Sequence, residues 1–372
     1  MSFTTFLRQG QIKKALLSLT FLVVFALKSE AQAVHIVDNN QGSGAEYTSV
    51  QDAVDAANPN DIIYIQPSPN NYGDIQMTKP LKIYGIAHIP ELNAGQTAVV
   101  NNILFRYANA SGSKISGLRI NGIYLDNTTY SNNDVVITNN RLVSISGNSN
   151  TGRANNVIIS GNFFYTTSTT AIDNYNSQNW IIANNTFTMQ STYWGYTIFF
   201  RLNSTTILNN NIILSRQNGD SNQSILVFSS CSGTQISNNI FLYTGSSVAN
   251  MNLGSNNALT FQNNLTYSYN STLDALSGSN NIDNQDPLFV SFNPSASLNT
   301  STNDYHVQGG SPAENAGTDG NDLGVFNGNF PYELRGYPTE LPYITDFTIF
   351  NNIISAGTPL NINIKASANI TD

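Results

Sequence analysis

The sequence predicts an all-β chain: a right-handed parallel β-helix with a short N-terminal capping helix and a short C-terminal β tail. Three observations carry this. First, the stretch "WIIANNTF" (180–187) has five relatives in the chain: "VVITNNRL" (135–142), "VIISGNFF" (157–164), "TILNNNII" (206–213), "TQISNNIF" (234–241) and "LTFQNNLT" (259–266). Second, the last aligned asparagines, Asn140, Asn162, Asn185, Asn211, Asn239 and Asn264, are 22, 23, 26, 28 and 25 residues apart, a period that marks a solenoid. Third, Ile137, Ile159, Ile182, Leu208, Ile236 and Phe261 stand three residues before them, and Leu142, Phe164, Phe187, Ile213 and Phe241 two after. Alternation on both sides of a break is a strand with one buried face that bends and restarts.

In chain order, the first element is a leader. Arg8, Lys13 and Lys14 precede an apolar run from Ala15 to Leu27, and Ala31-Gln32-Ala33 gives the small-x-small pattern of a cleavage site. The run is shorter than the roughly 20 apolar residues that span a bilayer. Residues 1–33 are therefore expected to be a signal peptide cleaved after Ala33, with no lipid-anchoring cysteine at the junction. The product would be exported, to the cell surface, the medium or the periplasm, and would not be inserted in a membrane.

"YTSVQDAVDAAN" (47–58) follows as a capping helix. Thr48 and Gln51 fit a capping box, and Val50, Ala53, Val54 and Ala57 share one face. Such a cap covers the open strand edge at the end of a solenoid. "DIIYI" (61–65) and "LKIYG" (81–85) read as the first coils. In the repeat region a second column opens at Ile172, Ile198, Ile225 and Met251, heading "IDNY" (172–175), "IFFR" (198–201), "ILVF" (225–228) and "MNLG" (251–254). A leucine-rich repeat would need a leucine consensus that is absent, and a propeller blade needs about 40 residues. "DPLFV" (286–290) and "SPAENAGTDGNDLGVF" (311–326) read as closing turns. The β-helix is placed at 34–335 and the tail, with "LNINIKA" (360–366) as its strand, at 336–372.

The repeated asparagines have a structural explanation. Asparagine tolerates the left-handed backbone of a tight corner. Stacked at about 4.8 Å, the amides can bond one another up and down the coil, as an asparagine ladder.

At this point the chain resembles the pectate-lyase-like superfamily of parallel β-helices over Val34 to Phe326. The resemblance rests on "GSGAEYTSVQDAVDAANPNDIIYI", the recurring "I-x-N-N-x-F" corners and the close "DPLFV…DYHVQGGSPAENAGTDGNDLGVF". It implies a secreted polysaccharide-associated scaffold. It does not imply one activity, because the superfamily holds lyases, hydrolases, esterases and proteins without known activity.

Composition narrows the partners. Without residues 1–33 the basic residues fall from 15 to 11, the acidic from 23 to 22, and the net charge moves from −8 to −11. An acidic surface disfavours nucleic acid and anionic lipid. The single cysteine, Cys231, cannot form an internal disulfide and reads as a small buried hydrophobe. A monomer is expected.

Catalytic sets are poorly represented. A uronate lyase needs a base and a means of stabilising the developing charge. Lysine is absent between Lys114 and Lys365, across the whole repeat region, where Arg141, Arg153, Arg201 and Arg216 remain. An inverting hydrolase needs two carboxylates about 6.5–9.5 Å apart, but the column neighbours read for Asp173 are Phe199, Leu226 and Asn252. His35, His88 and His306 lie outside the repeat, and the aspartate pairs and Gly-His-Gly pattern of polygalacturonases are missing. "DGND" (319–322) and "DNQD" (283–286) bring carboxylates together, but turn chemistry accounts for them; no cofactor is expected, and Ca²⁺ is the one ion worth testing.

One surface combines aromatic and charged groups. Asp173, Tyr175, Phe199 and Arg201 are read as pointing outward, with Tyr175 over Arg201, Arg201 over Phe228, and "STYWGY" (191–196) supplying Tyr193, Trp194 and Tyr196 nearby. Aromatic faces with placed donors and acceptors suit a sugar chain. The candidate carbohydrate site is Asp173, Tyr175, Trp194, Arg201 and Arg153; a ladder of cation–π and ion pairs that merely lines the coil is the plainer account. Three functions follow: a polysaccharide-binding β-helix without catalysis, a lyase with an arginine base, and a structural or adhesive solenoid.

Overall fold

The computed structural model describes residues 32–93, 95–106, 109–126, 129–147, 153–166, 170–191, 197–217, 226–245, 256–296, 303–330, 332–338, 342–350 and 357–367. Residues 1–31 of the expected leader, Tyr193, Trp194 and Tyr196, and the Ile225 and Met251 column heads lie outside these. No helix of the described residues is long and apolar enough to cross a membrane.

Parallel strands stack into a β-helix. One sheet contains eleven strands, from Val34–Val37 through Ile62–Ile65, Lys82–Tyr84 and Lys114–Ser116 to Gly278–Ser279, each paired in parallel with the strand one coil on. Its middle positions, Ile63, Ile83, Ile115, Ile137, Ile159, Ile182, Leu208, Ile236 and Phe261, form one buried row. A second sheet of twelve strands faces it. Its strand Arg141–Ser146 pairs along its first half with Phe163–Thr166 and along its second half with Ile172–Asp173. Phe164, Phe187, Phe199 and Phe228 pack successively inside the coil, with ring centroids 4.4, 4.8 and 5.3 Å apart, the middle contact edge-to-face.

The helix at the N-terminal end is Val50–Ala56, capped by Ser49, whose hydroxyl accepts from the Asp52 amide. The cap therefore sits one residue later than the Thr48–Gln51 box; Gln51 instead bonds Asp55 and the Gln76 backbone. Val50, Ala53 and Val54 are buried against the first coils.

The paired asparagines divide the work of the corner. The second of each pair points inward: Asn140 Nδ2 donates to Asn162 Oδ1 at 3.1 Å, and the file continues through Asn185, Asn211, Asn239 and Asn264 to Asn281 at 2.9–3.2 Å. Each Oδ1 also accepts the backbone N–H of the asparagine before it. The left-handed backbone belongs to the residue in front of each: Asn139, Gly161, Asn184, Asn210, Asn238 and Asn263 have φ of 53–65°. That corrects the sequence reading, which gave both jobs to one residue. A ladder amide needs a fixed inward direction, so the strained φ falls to its neighbour, whose side chain turns out.

Those outward amides hold a strap. Asn263 Nδ2 donates to the Ala316 carbonyl, Asn238 exchanges bonds with Thr318, Asn184 Nδ2 reaches the Val325 and Asn327 carbonyls, and Asn139 Nδ2 reaches Tyr337. As chain number rises from 316 to 337, the coil number falls. The segment read as closing turns thus runs back along the outside of the helix. Phe289–Ser291 and Asp304–Val307 form a small antiparallel pair before it. Beneath it lies a second core, where outward Ile212, Leu214, Ile240, Leu242 and Leu265 pack with Leu323, Val325 and Tyr332. Near its end, Gly336 (φ 70°) lies against His88, where a Cβ would come within 1.8 Å of the imidazole; any side chain there would displace the strap. Beyond it, Tyr343–Ile349 and Ile362–Ser367 form an antiparallel hairpin, two strands where the sequence suggested one.

Two predictions follow from the corner. Asn185→Ala should cost about 2–4 kcal/mol, because it strips bonds from buried amides on both sides. Asn184→Gly, which keeps the left-handed backbone but drops the strap contacts, should cost about 1 kcal/mol; urea midpoints distinguish the two, and equal effects would contradict the division of labour. His88 is fully buried, its two ring nitrogens make no hydrogen bond among the described residues, and burial with the nearby Arg141 charge lowers its pKa to about 3. The folded state therefore stays neutral while the unfolded chain, near 6.5, takes up the proton. Stability should fall as pH drops from about 6.5 towards 3, at a limiting slope of about 1.4 kcal/mol per pH unit. Denaturation at pH 6.5 and 5 should show the slope in the native protein and a flatter one in His88→Gln.

Candidate functional site

The candidate surface begins with a register. Ile172 pairs with Phe199 and then Phe228, and Asp173 pairs with Phe200 and then Ser229. The sequence alignment had matched Ile172 to Ile198. A one-residue slip exchanges the faces of a strand: Phe199 and Phe228 are buried inside, and Phe200 is the outward, partly exposed residue. The strand is Thr197–Phe200, so Arg201 stands just past its end and over Phe200 instead of Phe228.

Arg201 is held on three sides. Its Nε and Nη2 donate to the two oxygens of Asp173, the former at 2.9 Å. Its guanidinium carbon lies 4.1 Å from the Tyr175 ring centroid and 4.5 Å from that of Phe200. Tyr175 (φ 41°) and Arg201 (φ 58°) both have left-handed backbones, a conformation costing of order 1–3 kcal/mol for such residues. Neighbouring bonds fix it: Arg201 N–H donates to the Ser229 carbonyl, Asn174 N–H to Phe200, and Asn203 Nδ2 to Ser177. Arg153 is exposed, with Nη1 3.5 Å from the Asn176 carbonyl, so it neighbours the corner and does not enter the ion pair.

The same row continues upward. Tyr124 pairs with Ser146, and Ser146 with Asp173, so Tyr124, Ser146, Asp173, Phe200 and Ser229 occupy one file on successive coils. At its upper end the lower cluster has a counterpart that the sequence reading missed. Arg106 Nε and Nη2 donate to Asp126 at 2.8 and 2.9 Å, and the guanidinium lies 4.7 Å from the Tyr124 ring. The coils here have no Asn-Asn corner, so the repeat offered no alignment to extend to "FRYANA" (105–110).

A third arginine group lies at the opposite ends of these strands. Arg119 and Arg141 are adjacent in register. Arg141 is buried, 3.5 Å from Glu91 and 5.1 Å from the Tyr165 ring; Arg119 is 6.0 Å from that ring. Arg216 is spent on structure, donating to Thr244 and to the Ala296 and Pro294 carbonyls. Cys231 is buried, its Sγ 3.4 Å from the Ser229 carbonyl, and burial raises its thiol to about 11, which keeps it protonated.

Chemically, the row presents two carboxylates, and each is taken up by a guanidinium. Among the described residues neither has the pairing with a second acid that glycoside hydrolysis requires. The half-exposed rings and charged edges can instead stack on and hydrogen-bond to a ligand lying over the sheet.

No family model matches the chain, and no curated protein matches it. Among solved structures, the crystal structure of pectate lyase Pel9A is similar over 80% of this chain and 97% of that chain, with a TM-score of 0.44 and 16% sequence identity. The parallel β-helix architecture itself is established by the strand register.

The Asp173–Arg201 pair is partly exposed, with side-chain exposures of 15% and 26%, so its net worth is discounted for solvent. A double-mutant cycle with Asp173→Ala and Arg201→Ala should give a coupling of about 1 kcal/mol. Coupling indistinguishable from zero by thermal or urea unfolding would show that the pair does not order this corner.

Proposed function

We propose that this is an exported β-helix protein that binds polysaccharide on the outer face of its second sheet, without catalysing a reaction there. One observation carries the reading: two arginine–aspartate pairs, each with its guanidinium against a tyrosine ring, flank one partly exposed file of the coil. Rings offer flat apolar faces to the C–H faces of sugars, while carboxylate and guanidinium edges can meet hydroxyls. Export rests on the charged, apolar and small-residue order of residues 1–33.

The geometry also speaks against Arg201 as a lyase base. A base must be available to take a proton, and Arg201 Nε and Nη2 are engaged with Asp173.

Affinity electrophoresis through gels containing neutral or acidic polysaccharides tests this reading. At least one glycan should retard the protein, and Tyr175→Ala should lose most of the retardation while retaining the thermal midpoint. An ultraviolet assay for unsaturated uronate should stay flat. Free migration in every glycan would leave only a structural or adhesive role.

A further inference from the structure

The row that carries the proposed function also selects its ligand. Resting on that glycan-binding reading, we infer that the file from Tyr124 to Phe200 takes a neutral polysaccharide, laid along the coil axis at about one sugar residue per coil.

The charge balance of the row comes first. Arg106 gives Nε and Nη2 to Asp126, and Arg201 gives Nε and Nη2 to Asp173. Both pairs are bidentate, the geometry in which guanidinium and carboxylate match donor for acceptor. Each cluster is thereby neutral as a unit. A sugar carboxylate arriving here would meet an aspartate in front of each arginine and would have to displace it. Displacement leaves a half-buried aspartate facing a second anion, and like-charge juxtaposition is how binding sites reject a ligand. A chain of net charge −8 adds no long-range attraction for a polyanion. A sugar hydroxyl needs no spare charge: it can donate to a carboxylate lone pair while the ion pair stays intact.

The spacing comes second. Tyr124, Ser146, Asp173 and Phe200 are successive register partners, so they are separated by three strand spacings, roughly 14 Å at ~4.8 Å each. One strand spacing is close to the length of a pyranose in an extended chain. The aromatic residues are therefore placed at the two ends of a segment about three sugars long, with Ser146 and Asp173 between them. A ligand crossing the file at right angles would touch one cluster only; one running along the axis touches both.

Titration of the purified protein with size-matched neutral and uronate oligosaccharides tests this. Neutral chains should bind at least tenfold more tightly than uronates of equal length, with little change on raising the salt, since no net charge is neutralised. Affinity should rise with length to about three or four residues, matching the spacing above, and then level. Asp173→Ala, which frees the Arg201 guanidinium, should shift the neutral-to-uronate preference at least tenfold towards uronates. Tyr124→Ala should weaken long neutral chains and leave short ones unchanged, a readout independent of whether the aspartate variant folds well. Tighter, salt-sensitive uronate binding would overturn the neutral assignment and keep the glycan reading. Binding that does not depend on length would overturn the axial placement. Absence of binding by either class would remove both readings.

Discussion

The interaction on which the rest of this molecule depends is the amide-to-amide hydrogen bond at one corner of each coil. A parallel coil has to turn sharply while its backbone stays buried, and a buried turn leaves donors and acceptors without water. Here the inward asparagine of each coil answers that need, its Oδ1 accepting the backbone and side-chain N–H groups of the coil before it. The repeat length varies from 22 to 28 residues, while the amide contact at this corner stays at 2.9–3.2 Å.

The first amide of the pair explains how an asymmetric surface is built on a repetitive scaffold. Its left-handed backbone turns the side chain outwards, where it binds strap carbonyls at Ala316, Val325 and Tyr337. The strap covers the coils whose outward residues are apolar, such as Ile212, Leu214 and Ile240. The file containing Tyr124, Asp173 and Phe200 carries ring and charge instead, and its residues are partly exposed. One sheet is thus divided between a covered apolar region and a polar row, and the outward side chains decide which is which.

The coil was legible because its signal repeats. The inward rows at Ile137, Ile159 and Ile182 and the asparagines at 140, 162 and 185 recur in the same phase, so position alone exposes them. The candidate surface was less legible for a definite reason. In "TIFFR" (197–201) three consecutive apolar residues satisfy either phase of a two-residue period, so the sequence could not choose between Ile198 and Phe199 as the partner of Ile172. The fold pairs Ile172 with Phe199, and Phe200 replaces Phe199 on the outer face. The strap escaped for another reason: it has neither period, and its partners are up to 244 residues distant in sequence. Asp126 sits in the coil where Gly117 takes the left-handed corner and Arg106 in the coil before it, so the Asn-Asn marker that guided the alignment was missing.

The reversed course of the strap has a mechanical consequence. A solenoid whose chain leaves at its last coil would be peeled open from that coil, one turn after another, by a pull on the C-terminus. Here the chain passes from Ala316 beside Asn263 to Pro338 beside Gly117, so tension applied through the hairpin at 343–367 arrives first at the early turns. The contacts under load are those around Tyr337, Gly336 and His88, and the later turns are shielded until these give way.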